Sequence, residues 1–438
     1  MKLKVAILAI VMLNANWLSA QELLKKEDAI AIALEHNFDI REAGNNKHIA
    51  RNNTDIKNSG YLPSLSASGS TNFSTTNSEN VTNAGEVLAV SGVQTERYSA
   101  SVGLNYVVYN GQTRKYNFKK LQENLNLSEL QARAIIENVI LDIFDVYYEV
   151  ARLTQNELNQ KESLDISRKR WKRAKYSFDY GQNTQLDVLN AEVDYNNDSI
   201  NYLNIRQQLA NEKRNLNLLL GRDVNIPFDV DTSLTYQEGL SLESVLQNSL
   251  AGNVNILQQQ GNYRSAEYDV KISNGSNLPT IGLTSSYGWN QNNLGKTSFF
   301  DSQNQKSFNY GATLSWNIFD GGQTNIRKQN SRIMLENQRI GMDRLKLNLD
   351  RDVNNAWSIY ETARFILKVE EKNLATNERN FDRTSEQQAL GQVTSIEFRQ
   401  AQLNLLNAKL NYNQARFNAK NAELDLLQLS GDLMEAEY

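Results

Sequence analysis

The chain is written twice, and that repetition limits its fold more than any other feature. Asn37 and Asn253 stand 216 positions apart, as do Leu62-Pro63 and Leu278-Pro279, and Asn110-Gly111-Gln112 is answered by Asp320-Gly321-Gly322-Gln323. Further along, Gly181-Gln182 and Gly391-Gln392, Asp187 and Glu397, Ala191 and Ala401, and Gly221 and Gly431 all stand 210 apart. One coincidence of composition is unremarkable; an ordered series at nearly constant spacing is a tandem duplication. The expected division is a leader at 1–20, a first repeat at 21–220, a connecting strap at 221–240 and a second repeat at 241–438.

The leader rests on Lys2 and Lys4, the apolar run Val5–Leu13 and the small-residue stretch Leu18-Ser19-Ala20, the three-part layout of a secretory signal. Nine apolar residues in that run are too few to cross a bilayer, which takes about 20 in a helix. Composition narrows the function. The sequence has no Cys and 2 His, leaving little for thiolate or imidazole metal sites and for cysteine or histidine catalysis. A net charge of −4 argues against a nucleic-acid partner. No enzyme, no metal and no cofactor is expected.

Each repeat reads as a helix, a β-hairpin and a long helical hairpin. After Pro63 the residues alternate, with Leu65, Ala67, Gly69, Thr71 and Phe73 opposite Ser64, Ser66, Ser68, Ser70, Asn72 and Ser74. Tyr98 to Val108, Ile281 to Trp289 and Phe308 to Ile318 alternate likewise, so hairpins are expected at about 63–110 and 279–320. The loops joining their strands are expected near 77–95 and 291–306. The polar faces carry Ser, Thr, Asn and Gly where a soluble sheet would carry Lys and Glu. Opposite an aromatic-rich apolar face, that suits a barrel with lipid outside and water inside. Tyr98, Tyr106, Trp289, Tyr310 and Trp316 are the expected interfacial aromatics.

Four strands cannot close a barrel, since about eight are needed for a filled one. Several copies must therefore contribute, and two or three copies would give eight or twelve strands. The helical hairpins are expected at about 112–219 and 323–429. Gln112 to Phe178 runs 67 residues without proline, about 100 Å at 1.5 Å per residue. Its apolar residues fall at coiled-coil spacing, and Ile135, Ile140, Phe144 and Val146 widen the stripe toward a second neighbour. The 36-residue stretch Thr184–Leu219 and the 33-residue stretch Ser241–Ser273 together match that length, suggesting two shorter helices stacked end to end beside the long one.

At the hairpin turns, Gly181-Gln182-Asn183-Thr184-Gln185-Leu186-Asp187-Val188-Leu189-Asn190-Ala191 and Gly391-Gln392-Val393-Thr394-Ser395-Ile396-Glu397-Phe398-Arg399-Gln400-Ala401 resemble a marker of the TolC-like outer-membrane efflux proteins. There a Gly-x-x-Thr/Ser-x-x-Asp-Val-Leu-x-Ala pattern forms the periplasmic tips, and the resemblance covers essentially the whole chain after the leader. It implies an α+β membrane protein: a homotrimer whose 12-stranded β-barrel continues into an α-helical barrel. It implies a passive export duct in the outer membrane of a Gram-negative bacterium, serving tripartite efflux or type I secretion. A periplasmic adaptor (membrane fusion) protein and an inner-membrane pump are the implied partners. Gly181, Gln182, Asn183, Thr184, Leu186, Val188, Leu189, Gly391, Gln392, Val393, Thr394, Ile396 and Phe398 become candidate adaptor-docking residues. Asp187 and Glu397 become candidate acids of the periplasmic entrance, with Arg399 a candidate ion-pair partner there.

The rival reading is a soluble periplasmic coiled-coil protein, structural or adaptor, without a pore. Arg168-Lys169-Arg170, with Lys172 and Arg173, is the densest basic cluster and reads as a solvated face near the first tip.

Overall fold

A computed structural model describes residues 22–294 and 300–435. The proposed leader lies outside the described residues. Chain contacts divide the molecule into two units, each assembled from both repeats. One comprises residues up to Asn46, Glu129–Gln258 and Met342 onward; the other comprises Lys47–Ser128 and Gln259–Gly341.

The first unit is mainly helical. A short parallel pair joins β1 (Glu22–Leu24) to β4 (Phe228–Val230). Around it lie α1 (Lys26–His36) and the opening turns of α2 (Phe38–Asn53). Most of α3 (Thr113–Asp179), all of α4 (Gln185–Leu219), and α5 (Leu242–Gly252) follow. The unit closes with the greater part of α7 (Gln323–Ala389) and all of α8 (Ser395–Ser430). The core gathers Ile143, Phe144, Tyr147 and Tyr148 of α3 against Leu216 of α4, Phe228 of β4 and Phe417 and Leu424 of α8. The widened α3 stripe therefore does have neighbours on two sides. The Tyr147 hydroxyl donates to the Leu24 carbonyl at 2.8 Å and accepts from Asp231 N–H at 3.0 Å, pinning the strand pair to the helices.

α1 stops at Asn37, and α5, its counterpart in the second repeat, stops at Asn253. Each asparagine ends one helix and begins the next. The Asn37 side-chain oxygen accepts from the N–H groups of Asp39 and Ile40, at 2.9 and 3.1 Å, and its Nδ2 donates to the Leu219 carbonyl at 2.8 Å. Asn253 does the same toward Asn255 N–H (3.0 Å) and the Leu429 carbonyl (3.1 Å). The last turn of α4 therefore meets the break between α1 and α2, and the last turn of α8 meets the break between α5 and α6 (Val254–Gly275). This corrects the expected stacking: the abutting helices belong to the same repeat, and α4 is not matched with the entry helix of the second. Glycine makes the approach possible. A Cβ on Gly221 would sit 2.3 Å from the His36 carbonyl oxygen, and one on Gly431 would sit 2.5 Å from Gly252 backbone.

The second unit holds the sheet, in the order β2 (Ser64–Val81), β3 (Val87–Asn110), β5 (Thr280–Asn293) and β6 (Ser302–Ser315). All three pairings are antiparallel. β2 and β3 are longer than the alternation suggested, because most of 77–95 pairs as strand and only 82–86 turns. The second turn is shorter too, since β5 reaches Asn293 and β6 begins at Ser302. Continued ladder hydrogen bonding overrides the weak strand propensity of Asn and Ser there.

Candidate functional site

Two regions carry the candidate functional residues, and each is described within its own unit. In the sheet, register places whole rows of one chemical character across all four strands. Ser68, Ser101, Gly288 and Ser307 form one row; Ser66, Gly103, Ser286 and Asn309 a second; Ser70, Ser99, Asn290 and Gln305 a third. Hydroxyls pair across the first two strands, Ser68 with Ser101 at 3.0 Å and Ser70 with Ser99 at 2.7 Å. The intervening rows are apolar apart from Ser285: Ala67, Val102, Tyr287 and Phe308, or Leu65, Leu104, Ser285 and Tyr310. These side chains are uncovered, with Phe308 64% and Leu65 72% exposed. Tyr98 pairs beside the Ala100–Trp289 rung near one end, and Tyr106 lies eight residues away near the other, about 27 Å along the strand. Tyr310 falls in the row of Leu104 and Ser285, one same-face position from Tyr106.

The helical tips are built twice from the same parts. Gly181 (φ 74°) and Gly391 (φ 72°) take the left-handed conformation that ends α3 and α7. Gln182 N–H then bonds the Ser177 carbonyl at 2.7 Å, and Gln392 N–H the Gln387 carbonyl at 2.9 Å. Thr184 and Thr394 cap the next helices. Asp187 N–H donates to Thr184 Oγ1 at 3.3 Å, and the Asp187 carboxylate accepts from Thr184 N–H at 3.0 Å. Glu397 mirrors this with Thr394, at 3.2 and 2.8 Å. Asp187 is held below the usual carboxylate range by hydrogen bonds from the Thr184 side chain and backbone. Glu397 is lowered by those from the Thr394 backbone and side chain. Both candidate entrance acids are thus reciprocal caps.

Of the candidate docking residues, Gly181, Gln182, Asn183, Thr184, Leu186, Leu189, Gly391, Gln392, Thr394 and Ile396 are exposed, while Val188 and Val393 are half-buried. Phe398 departs from the exposed position expected of it. It is buried, its ring 5.5 Å from that of Phe381.

Behind the tips lies a polar cluster that sequence spacing did not reveal. Arg399 turns inward, away from Glu397, and grips Asp198 through both terminal nitrogens at 2.7 and 2.9 Å. It also donates to Ser167 at 3.1 Å and approaches Asp194 at 3.5 Å. Arg170 pairs with Asp194, and Gln402 donates to the Ser163 carbonyl at 2.9 Å. Burial, then the charge of Arg399, push the Arg170 guanidinium down to about 10 against the pull of Asp198. The basic run is therefore not a uniformly solvated face, because Arg170 points into protein. The available signal was Ser163/Ser167 and Asp194/Asp198, both four apart, where α3 and α4 face one another.

Among the described residues the chain thus forms a sheet polar on one face, apolar on the other and unclosed at β2 and β6, and paired helices of 67 and about 35 residues. The outer membrane efflux protein family model matches residues 29–222 and 245–432, and the chain belongs to that family. It is 23% identical over 412 residues to the outer membrane efflux protein BepC of Brucella suis biovar 1 (strain 1330), covering 93% of this chain and 86% of BepC. Its fold is similar to the Campylobacter jejuni CmeC outer membrane channel, with a TM-score of 0.77 and 17% identity over 93% of this chain and 86% of CmeC. It also resembles VceC of Vibrio cholerae, with a TM-score of 0.73 and 16% identity over 93% of this chain and 96% of VceC. The protein is thus located in the outer membrane, which sets aside the soluble periplasmic alternative.

Proposed function

We propose that three copies of this chain pool their four-stranded sheets into one 12-stranded barrel, with Ser/Asn/Gly rows lining water and aromatic rows facing lipid. The observation that carries this reading is the sheet order β2-β3-β5-β6 with its two outer edges open. In hydrocarbon each unpaired edge group costs several kcal/mol, so β2 of one copy is expected to pair with β6 of the next. The helical hairpins continue the lumen across the periplasm as a passive duct for efflux or type I secretion. An inner-membrane pump supplies the energy, and a periplasmic adaptor docks on the exposed tip residues. Asp187 and Glu397 stand at the entrance, and docking opens it.

Because the chain has no Cys, introduced thiols report cleanly. Ser68→Cys on β2 and Ser307→Cys on β6, joined by a short bismaleimide in membranes, should yield a covalent trimer. Products ending at a dimer, or none, overturn the three-copy barrel. Charge reversal of Asp187 and Glu397 should alter single-channel current in planar bilayers; unchanged currents remove both acids from the entrance.

A further inference from the structure

Between Phe228 and Gln237 the strap that connects the two repeats reaches all four long helices of the first unit. On α4, Lys213 Nζ donates to the Phe228 carbonyl at 2.7 Å. On α3, the Tyr147 hydroxyl holds Asp231 N–H, and Gln155 Nε2 donates to Thr232 Oγ1 at 2.9 Å. On α8, Arg416 Nη2 donates to the Thr232 carbonyl at 3.2 Å, and the Tyr236 hydroxyl donates to the Arg416 carbonyl at 2.9 Å. On α7, the Arg364 guanidinium lies 4.7 Å over the Tyr236 ring. The last attachment is to a buried charge. Glu423 of α8 is fully buried; one of its carboxylate oxygens takes Lys420 Nζ at 2.6 Å, and the other takes Gln237 N–H at 3.2 Å. Lifting the strap removes a donor from that buried carboxylate, a larger penalty than losing the same bond at an exposed site.

We propose that this strap is a brace: it ties the α7–α8 hairpin to α3–α4 and sets how strongly the periplasmic entrance resists opening. Its bonds are divided between the two hairpins. Those from Phe228 to Thr232 hold α3 and α4, and those from Thr232 to Gln237 hold α7 and α8. A segment fixed in this way is put under tension when the hairpins separate. Gln155, Arg364 and Arg416 each lie 21 to 25 residues from the tip end of their helix, about 35 Å at 1.5 Å per residue. The attachments therefore share one level, well behind Asp187 and Glu397, and a swing of either hairpin at the tips strains them. The inference rests on the proposed duct and adds to it a restraint that lies outside the tips.

Tyr236→Phe combined with Gln237→Pro removes the hydroxyl and the N–H that reach α8, and keeps the ring over Arg364. In planar bilayers the full-length variant should show an open probability about tenfold above wild type, the scale of two lost hydrogen bonds. Its thermal midpoint and its oligomer on semi-native gels report whether it is folded. A misfolded variant would mimic a loosened one, so the second arm tightens the strap instead. Thr232→Cys with Arg416→Cys, bridged by a short bis-methanethiosulfonate, joins strap to α8 covalently in a chain with no Cys of its own. Open probability should fall severalfold on bridging and recover with reductant. Current unchanged by bridging, or a folded Tyr236→Phe/Gln237→Pro variant that opens like wild type, overturns the brace alone. A wild type that passes no current overturns the duct and the brace with it.

Discussion

At the scale of single residues, the same side chains serve as structure and as candidate function. Asp187 and Glu397 cap their own helices, which lowers both carboxyls. A depressed folded value means the cap stabilises the tip above the unfolded carboxylate range and loses that contribution as pH falls through the folded value. Thr184→Val and Thr394→Val should return the two titrations, followed by NMR, toward ordinary carboxylate values; unmoved titrations would show that the caps do not set them. The buried pair behind the tips is structural. Asp198→Asn leaves Arg399 and Arg170 facing each other, and should cost about 3–5 kcal/mol in thermal or denaturant unfolding. A loss below about 1 kcal/mol would mean that water replaces the carboxylate easily.

Among elements, the two asparagine breaks show what spacing conveys and what it hides. Asn37 and Asn253 were visible as matched positions, but their role required knowing that Leu219 and Leu429 carbonyls arrive beside them. Asn37→Ala and Asn253→Ala should each destabilise the first unit by about 1–2 kcal/mol, as for other lost caps, read from unfolding midpoints. Gly431→Ala should cost at least about 1–2 kcal/mol from its left-handed backbone alone, before the clash with Gly252 is counted. Strand existence was legible from period-two alternation. Strand length was not, because Thr75–Val81, with its Asn, Ser and Glu, lacks strong local preference and is held by pairing with Val87–Thr95.

For the whole molecule, the two faces of one sheet make opposite predictions. Val102 lies in an apolar row midway between Tyr98 and Tyr106, and neighbouring Ser101 lies in a polar row. Val102→Arg should cost about 2–4 kcal/mol in the bilayer and deplete the assembled oligomer on semi-native gels. Ser101→Arg should leave assembly intact and shift ion preference toward anions. Indistinguishable behaviour of the two variants would contradict the lipid and water assignments.

Duplication, alternating strands, 67-residue helices and Gly-x-x-Thr turns are local or periodic properties, so the order of residues alone determined them. It also carries the expectation of several copies, since four strands alone would leave their edges unpaired in lipid. Tertiary structure decided which distant groups meet: Arg399 with Asp198 201 positions away, Gly431 against Gly252, and Phe398 under Phe381. Those encounters depend on how helices rotate and slide past one another during packing. A shift of one residue turns a helix by about 100°, enough to exchange a buried partner for solvent.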